Sequence, residues 1–223
     1  MPISVAIDGP AGAGKSTIAR RAAEYFNFIY IDTGALYRTA SLAALKQNVS
    51  LEDIDSLKAL LAQTKISLSL NEKKQQTVLL NGVDVSGEIR TPEVSMAASL
   101  ISALPFVRDY LLSLQREIAK EHSVIMDGRD IGTVVLPHAN VKVFFTASLE
   151  ERAKRRYKEL KEKCIDVDYK KILQEIRLRD EQDTGRKIAP LKPALGSVIL
   201  DTTADTPDEA AEKLINVIKE GIS

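Results

Sequence analysis

The stretch AIDGPAGAGKSTIARRAAEYF, residues 6–26, places three kinds of local structure directly after one another. Apolar side chains at 3–7 form a short run that is typical of a buried strand. Residues 9–14 consist only of glycine, proline and alanine, a composition that disfavours the interior of a helix or strand. Apolar side chains then recur at helical spacing over residues 18–26. A strand, a glycine-rich loop and a helix N-terminus in this order predict a binding site for an anion.

Residues 9–16, GPAGAGKS, satisfy the pattern G-x-x-x-x-G-K-[ST] at every position. Glycines let the backbone curl so that successive N–H groups point at one anion, and the helix that follows adds the positive end of its dipole. In this pattern the Lys15 side chain reaches the β- and γ-phosphates, and the Ser16 hydroxyl belongs on the metal. Because the complete motif lies between a strand and an amphipathic helix, we predict a site for a nucleoside triphosphate with Mg²⁺.

The composition of the 223-residue chain argues against several kinds of partner. Lysine and arginine together number 31, as do aspartate and glutamate, so no excess charge favours nucleic acid or an anionic membrane. The single cysteine, Cys164, excludes an intramolecular disulfide and a cysteine-based zinc site. No apolar stretch approaches the ~20 residues of a membrane span, and the N-terminus shows no signal-peptide pattern. We therefore expect a monomeric cytoplasmic protein without a nucleic-acid or membrane partner.

Strand and helix signals alternate along most of the chain, which favours an α/β fold with a parallel sheet flanked by helices. The candidate core strands are short apolar runs, as expected for strands covered on both faces. They lie at 3–8, 28–31, 124–127, 141–145 and 198–200. Several helices also carry start signals. These are Ser148 with Glu151, Thr206-Pro207 with Glu209, and Thr91-Pro92.

Two segments interrupt the alternation. Residues 65–85 alternate apolar and polar side chains and contain Asn81-Gly82, the pair preferred in a two-residue type I′ turn. This pattern predicts a small antiparallel β insertion outside the main sheet. Residues 148–183 are helical and charged with few large apolar side chains, which indicates either a mobile lid or a merely solvated surface hairpin.

The sequence after the loop narrows the class of nucleotide-binding protein. A GTP-dependent switch should carry an N-K-x-D sequence that recognises guanine, and the chain contains none. A motor ATPase or helicase needs a longer chain. The strand at 124–127 ends in Asp127, a candidate carboxylate for the metal, and Arg129 follows two residues later. Since ligands bind beyond the carboxyl ends of parallel strands, Arg129 is expected to project into the same crevice.

Arginines occur in several segments that could converge on this crevice. Transfer between two phosphates needs no general base, because the acceptor oxygen is already ionised, but it needs neutralisation of two polyanions, which arginine side chains supply. Arg38, Arg129 and Arg179 lie in short motif-like contexts and are favoured for this role. The other candidates are Arg90, Arg108, Arg152, Arg155, Arg156, Arg177 and Arg186.

Several segments resemble the signature sequences of bacterial-type cytidylate kinases, a family of nucleoside monophosphate kinases. They are IDTGALYR at 31–38, VSGEIRTPEVSMAAS at 85–99, DGRDIGTVV at 127–135 and EIRLRDEQDTGRKIAPL at 175–191. The resemblance extends from residue 7 to about residue 200, with the motifs in the family's order. It implies a phosphate-loop core, a lid and a monophosphate-binding lobe enlarged by a β insertion. The implied boundaries are 1–33, 101–150 and 184–223 for the core, 34–100 for the lobe and 151–183 for the lid.

The resemblance also implies roles for individual residues. ATP would bind to Gly9, Pro10, Ala11, Gly12, Ala13, Gly14, Lys15, Ser16 and Thr17. The phosphate of CMP would be held by Arg38, Arg129 and Arg179. The cytosine would be held by Ser99, Arg108 and Asp130. The sugar would be held by Asp183 and Arg186, and Thr33 and Tyr37 would lie beside the nucleotide. Arg152 and Arg156, on one face of a lid helix, would close on the ATP phosphates and act in catalysis with Lys15, Arg129 and Arg179. Tyr37 could instead simply pack.

The implied cofactor is Mg²⁺, carried with ATP. Ser16 would contact the cation, with Asp127 acting directly or through water. Ser16 stands where other members have glycine, which leaves open whether Ser16 or Thr17 faces the metal. Thr33 stands where some members have serine, and it keeps the hydroxyl.

We therefore expect an ATP-dependent kinase that makes CDP from CMP, and also dCDP from dCMP. Two alternatives remain open from the sequence. The first is a phosphate-loop kinase for another small acceptor, such as UMP, AMP or a hydroxyl metabolite. The second is a nucleotide-binding switch or interaction module with weak turnover, against which the missing N-K-x-D sequence argues.

Overall fold

The computed structural model describes residues 2–70, 76–162 and 164–222. Its strands are β1 (Ser4–Asp8), β2 (Ile29–Asp32), β3 (Ile66–Leu70), β4 (Gln76–Leu80), β5 (Val83–Asp84), β6 (Val124–Gly128), β7 (Val141–Thr146) and β8 (Val198–Asp201). Its α-helices are α1 (Lys15–Phe26), α2 (Thr33–Lys46), α3 (Ile54–Gln63), α4 (Pro92–Ile101), α5 (Pro105–Glu121), α6 (Leu149–Glu162), α7 (Tyr169–Gly185) and α8 (Pro207–Ile222). Short 3₁₀ and π-helical turns occur at Glu88–Arg90 and Ile131–Val135.

Parallel strands form the central sheet in the order β2-β6-β1-β7-β8, which confirms the predicted fold class. Every predicted core strand is present, and its ends lie within one residue of the prediction. β1, which precedes the glycine-rich loop, lies in the middle of the sheet between β6 and β7. Because parallel strands end at the same edge, the carboxyl ends of β2, β6 and β7 lie next to the loop.

Alternating side chains along β1 contribute to both faces of the core. Val5 and Ile7 share a buried cluster with Leu214 of α8, on the face that α1 and α8 cover. Ala6 belongs to a second buried cluster, with Met126 of β6. Since both faces are covered, the strands are apolar throughout, as the sequence pattern predicts for a parallel sheet.

The insertion forms a separate antiparallel sheet in the order β3-β4-β5, as predicted. Asn81 and Gly82 join β4 to β5 with φ angles of 51° and 85°, the positive values that a type I′ turn requires. Ile66 and Val78 of this sheet share a buried cluster with Leu36 of α2. The insertion therefore packs mainly on α2, the helix that carries Arg38.

Helices α6 and α7 form the segment predicted as a lid. Ala153, Ile172 and Ile176 make a small buried cluster of their own between the two helices. The segment is also tied to the core by Arg152, which is only 5% exposed. A merely solvated hairpin would not bury such a side chain. Its movement as a lid, and the boundaries of core, lobe and lid, stay predictions.

Among the described residues, no single helix is long and apolar enough to cross a membrane. Helices α4 and α5, which are bent by 103° at their junction, meet that criterion only when they are taken together. Val94 and Ile101 of α4 and Leu111 of α5 are buried in the same apolar cluster as Leu36 of α2.

Helix α8 begins at a reciprocal capping box, as predicted. The Glu209 carboxylate accepts hydrogen bonds from the Thr206 backbone N–H and hydroxyl at 2.8 Å, and the Glu209 N–H donates to the Thr206 hydroxyl at 3.3 Å. We predict that Thr206→Ala lowers the free energy of unfolding by about 1 kcal/mol, because the helix loses its cap. Urea unfolding measures the difference, with Ser113→Ala on the exposed face of α5 as the control. An effect no larger than that of the control would contradict the prediction.

Candidate active site

The glycine-rich loop between β1 and α1 packs tightly against the neighbouring strand β7. A Cβ atom on Gly9 would lie 1.9 Å from the carbonyl oxygen of Phe145, so only glycine fits there. Gly12 and Gly14 have φ angles of 75° and 87°, which other residues rarely adopt. The loop thus leads directly into the N-terminus of α1 at Lys15, an arrangement suited to an anion.

Lys15 is buried at the start of α1, where it is 6% exposed. Its ammonium group donates to the Pro10 carbonyl across the loop, at 2.7 Å. Burial lowers the pKa of Lys15 to about 7, with Arg129 and Arg179 acting in the same direction and Asp127 against it. Lys15 therefore lies among cationic groups, and their repulsion would be relieved by a bound polyanion.

Ser16 and Asp127 form the candidate metal site. The Ser16 hydroxyl donates to Oδ2 of Asp127 at 2.7 Å, which favours Ser16 over Thr17 as the residue that faces the metal. Asp127 is 3% exposed, and burial together with the nearby Asp32 raises its pKa. A hydroxyl and a carboxylate beside a phosphate loop suit Mg²⁺, which takes few protein ligands and keeps water and phosphate oxygens. The described residues contain no cluster of three or more histidine, cysteine or acidic side chains suited to a metal.

The end of β2 connects the phosphate loop to the acceptor side. Asp32 caps α2 by accepting from the Ala35 N–H at 3.1 Å, and it forms an ion pair with Arg38 at 2.7 Å. The Thr33 hydroxyl donates to the backbone carbonyl of Asp127 at 2.7 Å, which joins β2 to β6. Nε of Arg38 is buried and has no hydrogen-bond partner in the described part of the chain.

Gln76 brings the β insertion to the same strand end. Its side-chain oxygen accepts from the Asp32 N–H at 2.7 Å, and its amide nitrogen donates to the Asp32 carbonyl at 3.3 Å. One side chain thus satisfies both backbone groups of a residue at the edge of the central sheet. The sequence around Gln76 carries no motif that would have revealed this contact, because it depends on how the two sheets dock.

Asp183, which is 1% exposed, holds two arginines at the centre of the site. It accepts from Nε of Arg129 at 2.7 Å and from Nη2 of Arg186 at 2.5 Å. Burial acts against the charged form of Asp183, but Arg129 and Arg186, with help from Arg179, outweigh it and hold its pKa below the ordinary value. Arg129, Arg179 and Arg186, all predicted for the CMP site, are therefore electrostatic neighbours of Asp183.

Arg179 lies in this cluster with its Nε buried and, among the residues described, without a hydrogen-bond partner. Burial lowers the pKa of Arg179 to about 10, and Arg129, Arg38 and Arg186 add to the effect, while Asp183 opposes it. Asp32, which pairs with Arg38, and Asp183, which pairs with Arg129 and Arg186, are two carboxylates against the four arginines 38, 129, 179 and 186. The cluster therefore keeps an excess of positive charge.

Arg108 and Asp130 form a buried ion pair between α5 and the turn after β6. Arg108 also donates to the Ser102 carbonyl at 3.2 Å, and its guanidinium carbon lies 5.8 Å from the centre of the Tyr37 ring. Burial raises the pKa of Asp130, and Arg108 limits that rise. Burial likewise raises the pKa of Tyr37 to about 12. Arg108, Asp130 and Tyr37, all predicted for the CMP site, are thus brought together.

Ser99 lies where α4 meets α7. Its hydroxyl donates to the side-chain oxygen of Gln182 at 3.3 Å, so α4 contacts α7 at this point. Gln182 immediately precedes Asp183, and the contact therefore places Ser99 at the edge of the arginine cluster.

Arg152 and Arg156 occupy different environments, although both belong to α6. Arg152 donates to both carboxylate oxygens of Asp180, at 3.1 and 2.6 Å, and to the Ala11 carbonyl of the loop at 3.0 Å. The Arg156 side chain is 39% exposed and pairs with Glu159 at 2.7 Å. Arg152 thus contacts the phosphate loop, whereas Arg156 lies at the rim.

Arg155 makes the second contact between α6 and the phosphate loop. Its Nη1 donates to the Ala13 carbonyl at 3.2 Å, and its Nη2 donates to the Thr202 carbonyl at 2.5 Å. The sequence favoured Arg156 as the partner of Arg152, whereas in this structure Arg155 contacts the loop and Arg156 lies at the rim. The two helix positions differ by only about 100°, so the packing of α6 decides between them. Arg90 and Arg177, the other candidates, are exposed.

Asp8 is a buried site residue that the motif analysis did not single out. At the end of β1 its carboxylate accepts from the backbone N–H groups of Ile131 and Gly132, at 2.6 and 2.8 Å. The strand before the phosphate loop is thereby joined to the turn that carries Arg129 and Asp130. The sequence indicates this residue only by a lone carboxylate at the end of an apolar strand. Burial raises the pKa of Asp8 to about 6, although both N–H groups lower it.

This raised pKa predicts how stability depends on pH. Since Asp8 ionises near pH 4 when unfolded and near pH 6 when folded, its stabilising contribution is complete below pH 3.8 and is lost as pH rises to about 6. The free energy of unfolding of the wild type, relative to Asp8→Asn, should fall by about 2 kcal/mol between pH 4 and pH 7. Urea unfolding of both proteins at several pH values measures this difference. A difference that does not change with pH would contradict the prediction.

Comparison with known proteins identifies one family over nearly the whole chain. A sequence model of the family described as Cytidylate kinase matches residues 5–220. The cytidylate kinase of Caldanaerobacter subterraneus subsp. tengcongensis is 48% identical over 220 residues, 99% of this chain and 96% of the relative. That of Carboxydothermus hydrogenoformans is 49% identical over 214 residues, 96% of each chain.

Solved structures extend the similarity to the fold. An uncharacterized protein from Eubacterium ventriosum superposes with a TM-score of 0.54 at 13% identity, covering 99% of both chains. A protein from Thermus thermophilus superposes with a TM-score of 0.51 at 19% identity, covering 100% of this chain and 98% of that one. With its phosphate loop, its parallel sheet and near-half identity to relatives over nearly their full length, the chain belongs to the cytidylate kinase family, a family of phosphotransferases that act on nucleoside monophosphates.

Proposed function

We propose that the enzyme transfers the γ-phosphoryl group of MgATP to CMP, and also to dCMP, giving ADP with CDP or dCDP. The observation that carries this proposal is the excess of positive charge beyond the carboxyl ends of the strands. Lys15, Arg129 and Arg179 repel one another there, and Nε atoms of Arg38 and Arg179 are buried without partners among the described residues. Two polyanions held in line are the ligands that would neutralise this charge.

On the donor side, the loop from Gly9 to Thr17 would hold the ATP phosphates. Lys15, at the N-terminus of α1, would stabilise the negative charge that develops on the phosphoryl group during transfer. Ser16 and Asp127 would hold Mg²⁺, which when bound neutralises phosphate charge and aligns the phosphates. Arg152, already on the Ala11 carbonyl, would turn to the phosphates as the lid closes, and Arg156 would join it from the rim.

On the acceptor side, Arg38, Arg129 and Arg179 would grip the phosphate of CMP. No side chain is needed as a general base, because this phosphate oxygen is already ionised at neutral pH. The ion pairs with Asp32 and Asp183 would orient Arg38 and Arg129 before the substrate arrives, which lowers the entropy lost on binding. Asp183 and Arg186 would hold the sugar.

Cytosine would be selected by Asp130 together with Arg108, with Ser99 at the edge and Thr33 and Tyr37 lining the pocket. A carboxylate only accepts hydrogen bonds, so Asp130 would bond the 4-amino group of cytosine and repel the 4-carbonyl of uracil. The buried contact with Arg108 would keep the carboxylate in place. This repulsion separates a CMP kinase from an enzyme that accepts UMP.

The proposal is tested by acceptor-dependent release of ADP from MgATP, measured with CMP, dCMP, UMP and AMP. CMP and dCMP should each exceed UMP and AMP in kcat/KM by roughly ten- to a hundredfold. Turnover that prefers AMP or UMP would overturn the assignment of the acceptor. ADP release that does not depend on any acceptor would overturn phosphoryl transfer to a nucleotide.

Lys15 is predicted to act mainly on the transition state. Lys15→Ala should lower kcat with CMP by at least ~10², the scale on which preorganised charge groups contribute. Steady-state kinetics measures the loss, with Lys58→Ala, an exposed lysine of α3, as the control. A kcat within a few-fold of the wild type would remove Lys15 from the chemistry.

Asp130 is predicted to carry the choice of base. Asp130→Ala leaves Arg108 unpaired, so total activity and stability will fall whatever the role of Asp130. The ratio of kcat/KM for CMP to that for UMP is independent of the folded fraction, because both values come from one protein. If Asp130 recognises the base, this ratio should fall by about ten- to a hundredfold. An unchanged ratio would contradict base recognition.

A further inference from the structure

The hydroxyl of Tyr30 is buried and, among the described residues, makes no hydrogen bond of normal geometry. The residue lies in β2 and is 7% exposed. Its ring belongs to the apolar cluster beneath α1, and the guanidinium carbon of Arg20 lies 5.1 Å from the ring centre. Its neighbours Ser16 and Asp127 interact with the phenol, but only outside normal hydrogen-bond geometry, so the described residues leave its hydrogen-bonding capacity unsatisfied. A ligand that supplies the partner would explain why the site carries tyrosine.

The sheet register places this hydroxyl beside the candidate metal site. Tyr30 pairs with Ile125, and Asp32 pairs with Asp127, so Tyr30 and Asp127 lie on the same face of adjacent strands. The long tyrosine side chain extends along this face toward Asp127. Asp127, Asp32 and Ser16 are also the polar groups that act on the Tyr30 phenol.

The hydroxyl of Ser16 cannot do what the phenol would do. Ser16 has one proton, and it is given to Oδ2 of Asp127. A phenol both donates and accepts, whereas a carboxylate only accepts. Tyr30 can therefore accept a hydrogen bond from a water molecule that lies beside Asp127.

We propose that Tyr30 is a positioning residue for the divalent cation, its hydroxyl holding a water ligand of that cation beside Asp127. This inference rests on the proposed MgATP site, and it adds a residue that the phosphate-loop motif does not include. Groups in this outer layer orient the direct ligands of a metal, and their loss typically weakens metal affinity by about 10- to 100-fold.

A purely structural role for the Tyr30 hydroxyl predicts different effects of Tyr30→Phe on melting temperature and on cation binding than a role at the cation does. If the hydroxyl holds a water ligand of the cation, Tyr30→Phe should melt at the same temperature as the wild type or higher without metal, because the buried hydroxyl that is removed makes no hydrogen bond of normal geometry. The same variant should bind the cation more weakly in the presence of nucleotide. A hydroxyl that stabilises the fold would instead lower the melting temperature without metal.

Calorimetry of the full-length protein with a non-hydrolysable ATP analogue measures Mg²⁺ affinity directly, without turnover. Tyr30→Phe should weaken Mg²⁺ binding to the protein–nucleotide complex by ~10-fold, with the affinity for the analogue in EDTA unchanged. Tyr25→Phe is the matched control, since Tyr25 is 57% exposed on α1, and it should equal the wild type.

The outcomes separate the two proposals. If the wild type binds the analogue equally well with and without Mg²⁺, the proposed metal site itself fails. If the wild type requires Mg²⁺ and Tyr30→Phe binds the cation as tightly, the role of Tyr30 is overturned. A lower melting temperature of Tyr30→Phe without metal would also overturn it.

Discussion

Mutual repulsion among cationic side chains at one edge of the sheet is the constraint on which the site depends. Arg129 and Arg179 lower the pKa of Lys15, and Arg129 lowers the pKa of Arg179. Such a cluster is tolerable only because Asp183 and Asp127 lie within it, each buried at the end of an element. These carboxylates do not cancel the positive charge; Asp183 holds the guanidinium groups of Arg129 and Arg186 in fixed positions. Repulsion among these groups therefore destabilises the protein without substrate, and a bound phosphate group would relieve that repulsion.

Short-range hydrogen bonds from strand ends convert this charge into a defined geometry. Asp8 holds the turn after β6 by two backbone N–H groups, and Thr33 holds β2 to the end of β6. Gln76 reaches the same place from the β insertion. Elements that are far apart in the sequence thus meet at a single edge. A shift of any one strand would move an arginine, which explains why polar groups are buried here despite their desolvation cost.

Local sequence signals predicted the elements well and the pairings poorly. The five core strands, the turn at Asn81-Gly82 and the cap at Thr206 follow from side-chain period, φ preference and hydrogen bonding within a few residues. Arg155 and Arg156 are neighbours in one helix, yet only Arg155 contacts the loop. Which of them does so depends on the rotation of α6 against the core, and no local pattern encodes that rotation.

The sequence by itself determined the phosphate loop, the order of strands and helices and the family, because these depend on residue types at fixed short spacings. The tertiary structure alone decided which carboxylate pairs with each arginine and that Asp8 anchors the turn after β6. It also decided that the Tyr30 hydroxyl lies near Asp127 without a hydrogen bond of normal geometry to any described residue. Those facts arise where strand register and helix packing bring distant residues together. Burial then sets their pKa values, and burial is a property of the packed molecule rather than of any segment.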